Sequence, residues 1–151
     1  MGNWDWNIKT NDVFFSARWE EMLGIAENEL IHTFEAWSSR IHLDDRDRII
    51  KVLADHLAHK APFFQEEYQL KCKDDSYIWI LWILDRGQAL WDEFGNAIRM
   101  SGSATDITKR KQTEAKLLAV TRLKQSILAS IDYAIISTNS EGIIQTFNLA
   151  A

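Results

Sequence analysis

From residue 64 the chain alternates, with Phe64, Glu66, Tyr68, Leu70 and Cys72 on one parity and Gln65, Glu67, Gln69 and Lys71 on the other. Period two is the mark of a strand that buries one side. Asp74-Asp75-Ser76 predicts a turn, and "YIWILWILDRGQALW" reads as a long strand, apolar on both sides at its start. Alternation sets Trp79, Leu81 and Ile83 on one side and Ile80, Trp82 and Leu84 on the other. Residues 92–96, "DEFGN", predict a hairpin loop, and "AIRMSGSATDI" the strand after it.

Upstream the period lengthens. Ile49, Val52, Leu53, His56 and Leu57 stand at i, i+3, i+4, i+7 and i+8, the spacing of an amphipathic helix. Asp44-Asp45 is placed to cap that helix and favour its dipole, and Pro62 is its expected stop. "ARWEEMLGI" predicts a shorter helix with Trp19, Met22 and Leu23 on one side and Gly24 as terminator. "AENELIHTFEAWSSRI" offers one or two further helical turns. "WDWNIKTNDVFFS" predicts two short strands around Asn11-Asp12, a turn pair that tolerates positive φ. Strands in sequence with helices grouped between them give an α+β domain whose helices cover one face of an antiparallel sheet. Its interior has room for side chains or for one modest ligand.

Composition narrows the class. The 151 residues are 46% hydrophobic and 26% charged, with seven Trp and seven Phe, which describes a globular chain with large side chains to place. Residues 1–106 hold eleven basic and nineteen acidic residues, an acidic body that argues against nucleic-acid binding. Residues 107–131 reverse the sign, with six basic residues against Glu114, and read as a solvated helical face. No apolar run is long enough to span a membrane and no secretory signal opens the chain. A cytoplasmic location is expected, either free or as the inner part of a membrane-anchored sensor, without direct membrane contact. Cys72 stands alone, so neither a disulfide framework nor a cysteine metal cluster is expected.

Five stretches in fixed order carry a resemblance: "WDW" at 4–6, "EEMLG" at 20–24, "RIHLDDR" at 40–46, "EYQLKCKDDSYIWI" at 67–80 and "DEFGNAIRMSGSATDITKRK" at 92–111. Together they resemble the PAS family, in the subgroup closed by a PAC segment. The resemblance implies a five-stranded antiparallel sheet with short helices over one face and a long C-terminal helix. Leu43 stands where the family usually has Pro, which loosens the helix entry, and Asp75 where it usually has Gly. Residues 126–151, "SILASIDYAIISTNSEGIIQTFNLAA", look like the opening of a second PAS domain. The implied layout is a sensory domain over 1–107, a signalling helix over 108–131 and a truncated second domain over 132–151. The resemblance also implies a sensory or interaction module of a larger signalling protein. Its output would be a histidine kinase or a GGDEF-type diguanylate cyclase.

Cofactors must be tested on residues. A LOV-type flavin sensor needs a reactive cysteine on a helix within an Asn-Cys-Arg-Phe motif; Cys72 is in a strand beside a turn, and the motif is absent. The cysteine-bound chromophore of photoactive yellow protein fails on the same ground. Haem is the alternative with a candidate ligand, His56, in line with the apolar side of its helix. His59 near the helix end suits the helix dipole, His42 before the Asp pair suits a capping or packing role, and His32 has no informative context. Trp37, Tyr68 and Trp79 are candidate pocket lining for haem or a small metabolite, although a core filled by its own side chains is the leading expectation. The Asp44-Asp45 pair suits a cap better than acid–base catalysis, and a small α+β enzyme is the weakest reading.

At "TDITKRK" the strand passes straight into the helix, and the resemblance makes Asp106, Ile107 and Thr108 the signal exit. Thr113, Leu117, Val120, Lys124, Ile127 and Ile131 then follow a 4-3-4-3-4 spacing, a short coiled-coil seam centred on Leu117, Val120 and Ile127. A homodimer through this helix and the outer sheet face is expected, beside adjoining PAS and output domains.

Overall fold

The period-two stretches fold as strands in a computed structural model that describes residues 1–26, 29–73 and 78–137, with side chains through residue 131. β1 (Gly2–Asn7), β2 (Val13–Phe15), β3 (Phe64–Lys73), β4 (Ile78–Trp91) and β5 (Ala97–Asp106) form one sheet in the order β2-β1-β5-β4-β3. Every neighbouring pair is antiparallel. Helices α1 (Ala17–Met22), α2 (Phe34–Ser38) and α3 (Leu43–Leu57) supply the other layer of residues 1–108. The core joins Trp19 and Leu23 from α1 and its end, Ile49 and Leu53 from α3, and Phe64, Tyr68, Leu70, Leu81, Ile83 and Met100 from the sheet.

Local chemistry sets the boundaries. Asn11 has φ 68° and Gly24 φ 70°, so both residues singled out for turning do adopt the left-handed region. Ser16 and Thr33 cap α1 and α2 by accepting the amides of Trp19 and Ala36. At α3 the capping reading of His42 holds over that of the Asp pair, and the stop differs from expectation. His42 is the cap, its Nδ1 taking the Asp44 amide at 3.2 Å, while Asp45 reaches across to the Gln69 amide at 2.9 Å. The helix also stops at Leu57, well before Pro62, because His59 turns left-handed at φ 63°. That imidazole stacks on Trp91 with ring centroids 4.2 Å apart and bonds the Gly95 carbonyl at 3.2 Å, contacts that help hold the unusual backbone.

Residues from 109 onward belong to a second unit, the body of α4 (Thr108–Ser137). Its helical backbone continues past residue 131, where the sequence predicts a change of domain. Leu117, Val120 and Ile127 are all exposed, as are Leu118, Leu123 and Leu128. The expected turn at Asp74-Asp75-Ser76, including the departure at Asp75, and the expected second-domain residues from 138 lie outside the described residues. Among the described residues no helix is long and apolar enough to cross a membrane, and no cluster of acidic, His or Cys side chains suits a metal.

Candidate functional site

Two glycines shape the inner face of the sheet. Gly87 on β4 and Gly102 on β5 are register partners, and Trp4 on β1 pairs with Gly102. A Cβ on either glycine would stand 2.6 Å from the Trp4 ring. Bare backbone at both positions therefore lets that indole lie across two strands. Its Nε1–H reaches Oδ1 of Asp85 at 2.8 Å. From β3, the Tyr68 hydroxyl donates to Oδ2 of the same carboxylate at 2.7 Å. Trp37 on α2 in turn donates its indole N–H to the Tyr68 oxygen, also at 2.7 Å. One chain of hydrogen bonds thus ties α2, β3, β4 and β1 around a single acid.

Asp85 is only 3% exposed, and burial pushes its carboxyl up to about 6. The bonds from Tyr68, Trp4 and the Arg86 backbone pull the other way without cancelling the burial. Burial also raises the Tyr68 phenol well above its ordinary value, reinforced by the neighbouring carboxylate. The acid's partners are neutral donors; it is in no ion pair among the described residues.

Against this cluster lies a cavity of about 40 Å³, walled by Trp4, Trp6, Phe15, Trp37, Met100 and Asp85 among others. Trp6 stacks on Phe34 at 4.6 Å, and its buried indole N–H has no hydrogen-bond partner among the described residues. A buried donor without an acceptor is costly, and this one belongs to a residue of the cavity wall.

The residues expected at the site separate. Trp37 is in the wall, and Tyr68 reaches the site through its bonds to Trp37 and Asp85. Trp79 does not line the cavity: its ring covers Gly24, where a Cβ would come within 2.6 Å. His56 is fully buried but serves the backbone. Its Nδ1 lies 2.9 Å from the Ala61 carbonyl oxygen, and its Nε2 accepts the Ala89 amide at 3.1 Å. Iron ligation needs a free imidazole nitrogen beside space for a macrocycle. Here both nitrogens are engaged and the cavity is far too small, so the residues present do not fit haem. Cys72 is buried in β3 away from the cavity wall, and desolvation pushes its thiol up to about 12, the opposite of an activated thiolate.

The strand-to-helix junction is held by β4. Ile107 is buried and donates its amide to the Trp82 carbonyl at 2.9 Å. The Trp82 amide donates to Thr108 Oγ1 at 3.0 Å, and Asp106 accepts the Thr108 amide at 2.9 Å.

A family model described as PAS fold matches residues 12–104. The chain belongs to the PAS family. Over its whole length this PAS chain is 29% identical to "Sensor protein FixL" of Bradyrhizobium diazoefficiens, of which it spans 29%. A sensory box histidine kinase/response regulator from Burkholderia thailandensis shares 35% identity with a TM-score of 0.69, over 82% of this chain and 88% of that one. The N-terminal domain of a diguanylate cyclase with PAS/PAC sensor from Marinobacter aquaeolei shares the fold at 19% identity and a TM-score of 0.62, over 73% and 97% of the two chains. The chain is thus a sensory-type PAS module, and an output enzyme is not shown in it.

The acid at the centre of the PAS interior went unread in the sequence, as did Trp4 and Trp6. A signal existed: the parity Leu81, Ile83, Asp85, Gly87, Ala89 puts a lone carboxylate on the apolar side of β4, next to a strand glycine.

Proposed function

We propose that residues 1–108 form the sensory unit of a larger signalling protein, in which occupancy of the interior cavity is passed along β4 to α4. The observation that carries this reading is that β4 holds both ends of the path. Asp85 faces the cavity, and three residues earlier the Trp82 backbone clamps Ile107 and Thr108. A strand is stiff along its length, so a shift of Asp85 toward or away from a ligand bears on the clamp at Trp82. The unit itself performs no chemistry. Its output is a histidine kinase or a diguanylate cyclase, in keeping with the proteins it is similar to. A PAC-type closing segment over residues 92–111, a second PAS domain after α4, a cytoplasmic location and dimerisation through α4 and the outer sheet face complete the proposed arrangement.

Hydrogen exchange tests the relay directly. A ligand that enters the cavity should change the protection of the Ile107 and Trp82 amides. Occupancy that alters exchange only around Asp85, leaving those two amides untouched, would show that the junction is not an outlet.

A further inference from the structure

The cavity beside Asp85 combines an anion with a wall of aromatic side chains. Trp4, Trp6, Phe15 and Trp37 contribute to its wall, and each carries a π system whose face is electron-rich. Such faces do nothing to stabilise a carboxylate, yet they attract cations, most strongly when water is excluded. The carboxylate takes one bond from Trp4 and one from Tyr68, with help from the Arg86 backbone, against about four lone-pair positions on an ionised acid. It therefore has capacity for another donor. Buried charges are ordinarily paired, and this one has only neutral partners. A positive ligand would supply the missing counter-charge and satisfy the ring faces together.

Size and the second polar group narrow the class. About 10–15 Å³ of such space holds one water, so about 40 Å³ corresponds to roughly three to four small atoms. The unpartnered Trp6 N–H calls for an acceptor, which a bare ammonium lacks and a hydroxyl provides.

We propose that the cavity beside Asp85 binds a small organic ammonium ion, a protonated alkylamine or amino alcohol, with its positive end on Asp85 and its remaining group toward Trp6. This rests on the reading of residues 1–108 as a ligand-sensing unit and names the ligand's chemistry. Calorimetric and tryptophan-fluorescence titrations of the full chain near neutral pH, with ethylammonium, ethanolamine, ethanol and acetate as probes, decide it. Both cations should bind saturably, and ethanol at least about tenfold more weakly, because it lacks the charge that a desolvated carboxylate and aromatic rings attract. Asp85→Asn should weaken both cations by a similar factor. Trp6→Phe keeps an aromatic ring but loses the N–H, so it should weaken ethanolamine about fivefold more than it weakens ethylammonium, the effect of one hydrogen bond. The second variant covers the case in which Asp85→Asn folds poorly.

Ethanol binding as tightly as ethylammonium, acetate binding in preference to both, or cation binding indifferent to Asp85→Asn in a folded variant would each overturn the ammonium assignment while leaving a ligand-sensing cavity in place. Failure of all four probes to perturb the tryptophans would also overturn it. If a wider set of small metabolites then left the cavity equally silent, the sensory reading would fall as well.

Discussion

Asp85 carries its charge in a place where water cannot reach it, held by an indole, a phenol and an amide. Its carboxyl is raised from 3.8 to about 6, so the folded state holds a proton that the unfolded chain releases at lower pH. The sign follows: stability from this residue is fully present below about pH 4 and is lost as pH rises through about 6. A displacement of this size corresponds to roughly 3 kcal/mol at its full extent. The neighbouring Tyr68 phenol is displaced further upward, by burial and by the carboxylate itself. Urea unfolding between pH 4 and 7 should therefore show wild type losing roughly 2 kcal/mol relative to Asp85→Asn. Parallel pH profiles for the two proteins would mean that the buried acid is not displaced.

At the scale of elements, the site depends on two places where strands carry no side chain. Trp4 reaches Asp85 because Gly87 and Gly102 leave the sheet bare beneath it. Gly87→Ala would put a methyl 2.6 Å from the Trp4 ring and 2.8 Å from the end of Met100, forcing the indole off the carboxylate. Overpacking of this kind costs about 1–3 kcal/mol, and the displaced Trp4 should change the intrinsic fluorescence. An Ala variant with unaltered stability and emission would contradict the role given to the glycine pair. Sequence periodicity found the strands, α3 and the turn at Asn11, because each is a local pattern repeated over several residues. It did not find the contact between Trp4 and Asp85, separated by 81 positions, because register between distant strands leaves no local trace. Nor could spacing tell whether His56 faced a ligand or a backbone. Both readings place an imidazole on the apolar side of the same helix, and only the Ala61 and Ala89 partners separate them. Of the two capping candidates at α3, His42 takes the role, while the Asp45 carboxylate reaches β3 and pairs with Arg48.

At the scale of the whole molecule, α4 leaves Leu117, Val120 and Ile127 in the open, each between 48% and 66% exposed. A helix that shows such side chains at seam spacing is stable against solvent when a second helix covers them. The full chain should therefore self-associate in light scattering, and Leu117→Glu with Ile127→Glu should return it to a monomer without loss of helical signal. A wild-type monomer at high concentration would rule out the seam. The order of the sheet has a different consequence, one for the birth of the protein. β5 is the last strand of the sheet in sequence and the middle one in space, flanked by β1 and β4. Gly2 pairs with Ala104, so a strand made first waits about a hundred residues for its partner. Contacts of such long sequence separation are slow to form. During synthesis, Trp4 and Trp6 emerge long before the strand that pairs with β1 exists, and the sheet closes only when its centre arrives last.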